Sequence, residues 1–251
     1  MIAAAIFDVD ELLVSLEPQH KEAERLLVEE MGHRYGDLPH EIRTASGRRV
    51  WDVVADMHAH FGWTQPLQEV FDRRQALFTA LLETAEIAPM PGAAHAVELL
   101  HGAGYPLAVA SSGVRGYLEA VLQRLDLRPN FDVLVCGEDV TRGKPDPEPY
   151  LLAAARLGVR PGQCVVFEDA AVGVRAAKAA GMACIGVPNP AALQPQDLSL
   201  ADLILPSLEH FELRLLEGDG AMTGLPNITA GSEMMRPLYN WCRSMICLPS
   251  L

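Results

Sequence analysis

The sequence predicts an α/β fold, a doubly wound parallel sheet with an all-helical cap inserted after its first strand. Three observations point to it. Short apolar runs ended by polar residues recur along the chain, segments of helical period separate them, and one long interval near the start is helical throughout.

The run Ala3 to Phe7 is apolar and stopped by acidic residues, the pattern of a strand buried on both faces of a parallel sheet. Pro106 to Ala110, Val133 to Val135, Cys164 to Phe167 and Ala183 to Val187 repeat it, and Leu203 to Leu205 is the sixth candidate. Between them, Ala93 to Gly102, Val114 to Leu125, Pro147 to Leu157 and Val172 to Ala180 place apolar residues at three- and four-residue spacing, and Gly181 closes the last of these helices. From about Glu17 to Ala88 no buried strand interrupts the helical runs Lys21 to Met31, Val50 to His60 and Leu67 to Leu82. Pro89, Pro91 and Gly92 mark the return to the sheet. The expected organisation is a core over 1–16 and 89–216, a helical cap over 17–88, and a tail of uncertain structure over 217–251.

With 251 residues and 49% hydrophobic content, the chain can bury a full core. A formal net charge of −13 with scattered Lys and Arg leaves no basic surface, so nucleic acid is not an expected partner. No apolar run approaches the roughly 18 residues of a membrane span, and the opening run lacks a basic start, so neither export nor anchoring is expected. Cys136, Cys164, Cys184, Cys242 and Cys247 form no CxxC pair, which disfavours a zinc site and fits a reducing compartment, hence the cytoplasm.

Ligands of such sheets bind beyond the carboxyl ends of the strands. Asp8 and Asp10 stand there in FDVDELLVS, two apart along an extended chain and so pointing the same way. Glu168 and Asp169 follow the Cys164 to Phe167 run and would share the same rim. Four carboxylates in one place call for a divalent cation, and Mg²⁺ suits such oxygen donors; a solvated acidic rim is the plainer alternative. Ser111 and Ser112 end another strand, where a hydroxyl and turn amides hold phosphate oxygens or cap the helix from Val114. Lys144, in a Gly- and Pro-punctuated loop, is either a surface lysine or a cation set among acids to neutralise a phosphate or a nucleophile.

These residues lie in DVD at Asp8 to Asp10, ASS at Ala110 to Ser112, GKPDPEPY around Lys144, and FEDAAVGVRAAKAAGM from Phe167 to Met182. In order and spacing they resemble the haloacid dehalogenase superfamily, in its helical-cap branch of beta-phosphoglucomutase-like phosphatases with a Rossmann-like core, across roughly the first 215 residues. The resemblance implies Asp8 as a nucleophile forming an aspartyl-phosphate and Asp10 as general acid and base. It implies Mg²⁺ held by Asp8, the Asp10 carbonyl, Glu168 and Asp169, with Ser111, Ser112 and Lys144 on the phosphoryl oxygens. The implied partner is a small phosphorylated metabolite, and a monomer or weak dimer is expected. Asp10 disfavours dehalogenation, because a halide leaving group needs no proton.

Two positions depart from the pattern. Glu11 stands where the family has glycine, followed by Leu12, and a Cβ with a fifth carboxylate there is expected to strain the backbone or repel the substrate. Ser15 replaces a usual aspartate near the cap hinge. In the cap, TASGRR at Thr44 to Arg49 resembles the specificity loop, so His20, Arg48 and Arg49 are candidate substrate contacts, against the plainer reading of solvated residues. Sugar phosphomutases of this branch carry arginine three places after the cap glycine; counting from Gly47 gives Val50, which favours a phosphatase over a mutase. A binding protein on a catalytically impaired scaffold is the reading that Glu11 leaves open.

Overall fold

The computed structural model describes residues 1–190, 192 and 196–217. The tail past Glu217, with Cys242 and Cys247, lies outside the described residues. Six strands, β1 (Ala4–Phe7), β2 (Leu107–Ala110), β3 (Val133–Val135), β4 (Cys164–Glu168), β5 (Ala183–Gly186) and β6 (Leu203–Ile204), form one sheet in the order β3-β2-β1-β4-β5-β6. Every pairing is parallel. The helices are α1 (Glu17–Glu30), α2 (His40–Arg43), α3 (Val50–Phe61), α4 (Leu67–Thr84), α5 (Ala93–Gly102), α6 (Arg115–Arg124), α7 (Glu148–Leu157) and α8 (Ala171–Ala179). The fold is the doubly wound α/β architecture that the sequence predicts.

The strands are apolar because helices cover both faces of the sheet. In β1, Ala5 and Phe7 join Val97 and Leu100 of α5 and Leu118 and Leu122 of α6 in one cluster. Ala4 and Ile6 join Tyr150 and Ala153 of α7 and Val174 and Ala177 of α8 in the other, the two-residue alternation of a strand. Phe7 pairs in register with Phe167 of β4, and their rings stack with centroids 4.5 Å apart. Burying such a side chain contributes about 2 kcal/mol.

This order has one consequence for ligands. The chain leaves β1 toward β2 and β3 on one side and returns at β4 on the other, so the ends of β1 and β4 flank the switch point where a crevice opens. Between β1 and α5 the chain is helical, and Leu27, Val28, Val54, Met57 and Val70 of α1, α3 and α4 build a separate small core. The α1 helix starts four residues before the Lys21 of the predicted run, with Pro18 in its first turn, where a missing amide is harmless. The four-residue α2 carries too short a pattern for periodicity to reveal. No helix among the described residues is long and apolar enough to cross a membrane. Cys136, Cys164 and Cys184 are buried free thiols.

Candidate active site

The sheet itself places Asp8. Its amide donates to Phe167 O at 3.1 Å, extending the β1–β4 ladder by one residue. The chain then curls, with Leu13 N donating to Val9 O at 2.8 Å, so the acids of this segment sit above the strand ends. Lys144 Nζ reaches the same point from the loop before α7, donating to Asp8 Oδ1 and Glu168 Oε1, both at 2.7 Å. Glu168 is fully buried. Tyr150 OH donates to its Oε1 at 2.6 Å and Ala170 N to its Oε2 at 2.9 Å. Gly173 makes room for it, since a Cβ there would stand 1.6 Å from Glu168 Oε1. Asp169 Oδ2 accepts from Gln196 Nε2 at 3.1 Å, whereas its buried Oδ1 has no hydrogen-bond partner among the described residues.

One carboxylate oxygen each from Asp8, Glu168 and Asp169 lie within 4.8 Å of one another. Three buried acids thus face one buried ammonium. Burial pushes the Asp8 carboxyl from its usual 3.8 to about 7, with Lys144 opposing and Glu168 and Asp10 adding to the rise. Burial first and Glu168 next hold Asp169 well above the carboxylate range. Burial alone would lower Lys144, but Asp8 and Glu168 outweigh it and keep the ammonium above its ordinary value. An orphaned buried oxygen and a set of hard oxygen donors short of positive charge fit a divalent cation held by Asp8, Glu168 and Asp169.

A pH test follows from these shifts. With no cation, folded Asp8 binds a proton that the unfolded chain has released, so its contribution to stability is full below pH 4 and is lost as pH rises through about 7, and Asp169, also held above the carboxylate range, acts in the same direction. A cation repairs that loss. In thermal melts, saturating Mg²⁺ is expected to raise Tm by about 5 °C at pH 8 and by much less at pH 5. Equal shifts at the two pH values would count against the site.

Asp10 belongs to a different set of contacts. Tyr117 OH donates to its Oδ1, and His20 Nε2 lies 3.5 Å from the same oxygen. Arg74, buried on α4, approaches His20 Nδ1 to 2.7 Å. A guanidinium only donates, so Nδ1 accepts and the ring proton sits on Nε2, facing Asp10. Burial pushes Asp10 upward, but His20, Tyr117 and Lys144 together hold it below the ordinary range. A cavity between the sheet ends and the cap is lined by Asp8, Asp10, His20, Arg48, Val50 and Arg74, among others.

A family model described as haloacid dehalogenase-like hydrolase matches residues 2–181. The chain belongs to that family. This hydrolase is 39% identical over 223 residues to hexitol phosphatase B of Escherichia coli strain K12, covering 86% of this chain and 97% of the relative. It is 36% identical over 206 residues to validoxylamine A 7'-phosphate phosphatase of Streptomyces hygroscopicus subsp. limoneus, covering 81% and 95%. Among solved structures, CbbY from Rhodobacter sphaeroides in complex with phosphate superposes with a TM-score of 0.74 at 30% identity, covering 84% of this chain and 96% of that one.

The remaining predicted residues of the hydrolase divide between cavity and frame. Ser111 is buried, and its Oγ accepts from Gly113 N at 3.0 Å. Ser112 Oγ donates to Gly47 O at 2.8 Å, tying the core to the cap loop. Neither serine caps α6 as the sequence allowed: Val114 precedes that helix without a side-chain bond, and Glu138 Oε2 takes the Arg115 amide at 2.8 Å. Arg48 lines the cavity and pairs with Asp56 at 2.8 Å. Its neighbour Arg49 is not part of the cavity lining, being held by Asp52 at 2.6 Å and by Val140 O at 2.9 Å.

Arg74 and Tyr117 are among the site residues that the sequence does not announce. Arg74 looks like an ordinary helix charge, yet it falls on the stripe Val70, Arg74, Phe78 whose other members are buried, and a charge on such a stripe is the signal to look for. Tyr117 likewise shares the buried face of α6 with Leu118 and Val121. For Glu11 the expected backbone strain is present, while its carboxylate has partners of its own. Its φ of 65° is the left-handed conformation that glycine favours, and its carboxylate, at the edge of the cavity, accepts from the amides of Leu16 and Glu17, both at 2.7 Å.

Proposed function

We propose that this hydrolase releases phosphate from a small phosphomonoester, a sugar or sugar-alcohol phosphate, with Mg²⁺ as its cation and Asp8 as its nucleophile. The observation that supports it most is the Asp8 carboxylate at the cavity wall, fixed through Oδ1 by Lys144 beside the orphaned oxygen of Asp169. Bound Mg²⁺ would supply the positive charge that lets an anionic ester approach an anionic nucleophile. Asp8 attacks phosphorus, its new O–P bond forming as the ester O–P bond breaks, and Asp10 gives the departing alkoxide its proton. Asp10 then takes a proton from water, whose oxygen displaces Asp8 from phosphorus and frees phosphate. Because its surroundings keep Asp10 ionised in the free site, the acid role requires a proton taken up with the substrate.

His20, Lys21, Glu24, Arg48 and Arg74 line the cap side with donors and acceptors of both signs, which suits a substrate rich in hydroxyls. Val50 lines the cavity three places after Gly47, where the family resemblance leads one to expect arginine in a mutase, and this supports hydrolysis over transfer to a second sugar hydroxyl. The test is a panel of phosphorylated sugars and alditols with purified protein. Phosphate release without any bisphosphate primer, abolished by EDTA and restored by Mg²⁺, is the expected outcome. Dependence on a sugar bisphosphate without phosphate release would establish a mutase, and no turnover on any ester with Mg²⁺ would establish a binding protein.

A further inference from the structure

The hydrolytic scheme leaves one buried carboxylate without a task. Glu11 is 6% exposed, and four donors converge on it: Leu16 N and Glu17 N on Oε1, Ser15 Oγ and Asn189 Nδ2 on Oε2. Acceptance from four donors matches an acceptor-only carboxylate. The identity of the donors gives the arrangement its meaning. Leu16 and Glu17 begin α1, the first helix of the cap, whose opening amides have no partner within the helix, and Leu16 offers no side chain to cap them. Asn189 lies in the core loop after β5. Ser15 is the last linker residue before Leu16, and Glu11 N itself donates to Val14 O at 2.7 Å.

We propose that Glu11 is a positioning residue that clamps the first linker of the cap, joining the core loop at Asn189 to the N-terminus of α1 and so setting how the cap stands over Asp8. A negative group beside a helix N-terminus is favoured by the helix dipole as well as by the bonds themselves. Helix α1 carries His20, Lys21 and Glu24 into the cavity, so whatever fixes its first turn also fixes the cap side of the site. Ser15, whose Oγ donates to Glu11 Oε2 at 3.1 Å, is the neighbouring position from which a carboxylate would serve the same turn. A clamp on the linker between core and cap acts where closure over a substrate would turn.

The test uses the full chain and three variants: E11G, E11Q and the double variant E11G/S15D. Amide hydrogen exchange by NMR reads the clamp without reference to activity, so it stands apart from the hydrolysis reading on which the kinetic arm rests. In E11G the Leu16 and Glu17 amides are expected to exchange about tenfold or more faster, the equivalent of losing one or two net hydrogen bonds. For the best sugar phosphate, KM is expected to rise about fivefold with kcat nearly kept, because the loss falls on cap closure over the substrate rather than on the chemical step. E11Q, with one acceptor oxygen, should lie between, and E11G/S15D should return both readings toward the parent.

Unchanged exchange at Leu16 and Glu17 in E11G overturns the proposal. So does a fall in kcat at constant KM, which would place Glu11 in the chemistry. Should E11G fail to fold, the parent protein still decides: exchange of these two amides as fast as in an open loop, rather than as slow as the interior of α1, overturns it equally.

Discussion

Replacing Asp8 by asparagine is expected to lower kcat by about 10⁴-fold or more while the protein stays folded. The amide keeps the volume of the carboxylate but lacks its nucleophilicity. Lys144 keeps Glu168 as a partner, so its ammonium is not stranded. The substitution also removes one of three buried acids, and burial already drives Asp8 to about 7. Cation-free Asp8→Asn should therefore melt above the cation-free parent at pH 8, and its response to Mg²⁺ should shrink. Loss of turnover together with this gain in stability separates a missing nucleophile from a damaged fold. Turnover above about one per cent of the parent, on any ester, would remove Asp8 from the covalent role.

The second large effect is expected at Asp10, and it depends on the leaving group. Asp10→Asn should slow hydrolysis of a sugar-alcohol phosphate by about 10³-fold, the usual worth of general acid–base help. An aryl phosphate such as p-nitrophenyl phosphate needs no proton on departure. With that ester the first step survives and the second stalls for want of a base, so a burst of about one equivalent of phenol per enzyme should precede a slow steady rate. Mass spectrometry during the slow phase should find the protein carrying one phosphoryl group. Equal slowing of alkyl and aryl esters with no burst would show that another group handles the proton. His20 is the residue to test next, since its Nε2 lies 3.5 Å from Asp10 Oδ1 on the cap side.

Much of this molecule is legible in its sequence. Strands covered on both faces read as apolar runs, and Ala4–Phe7, Leu107–Ala110 and Cys164–Glu168 stood close to where their composition put them. The four acids were legible for a local reason. Asp8 and Asp10 lie one and three residues past β1, Glu168 ends β4 and Asp169 follows it, so placing the strands places them. Lys144 and the serines were legible only as candidates, because a loop residue has no fixed direction until both ends of the loop are anchored.

Arg48 and Arg49 show where local reasoning stops. They are neighbours in the chain, yet one borders the cavity and the other is bound to Asp52 and Val140 O, a division set by where the start of α3 meets the core loop at Val140. Arg74 and His20 are 54 residues apart and meet only because α1 and α4 pack together. Asn189 reaches Glu11 across 178 residues, a contact that no pattern near either residue announces. The amino-acid sequence by itself determined the parallel sheet, the helical insertion and the acids at the strand ends, since burial and chain direction act over a few residues. Tertiary structure alone decided which cap side chains face those acids, how His20 holds its proton and what Glu11 does, since these depend on distances between segments that only the packed chain brings together.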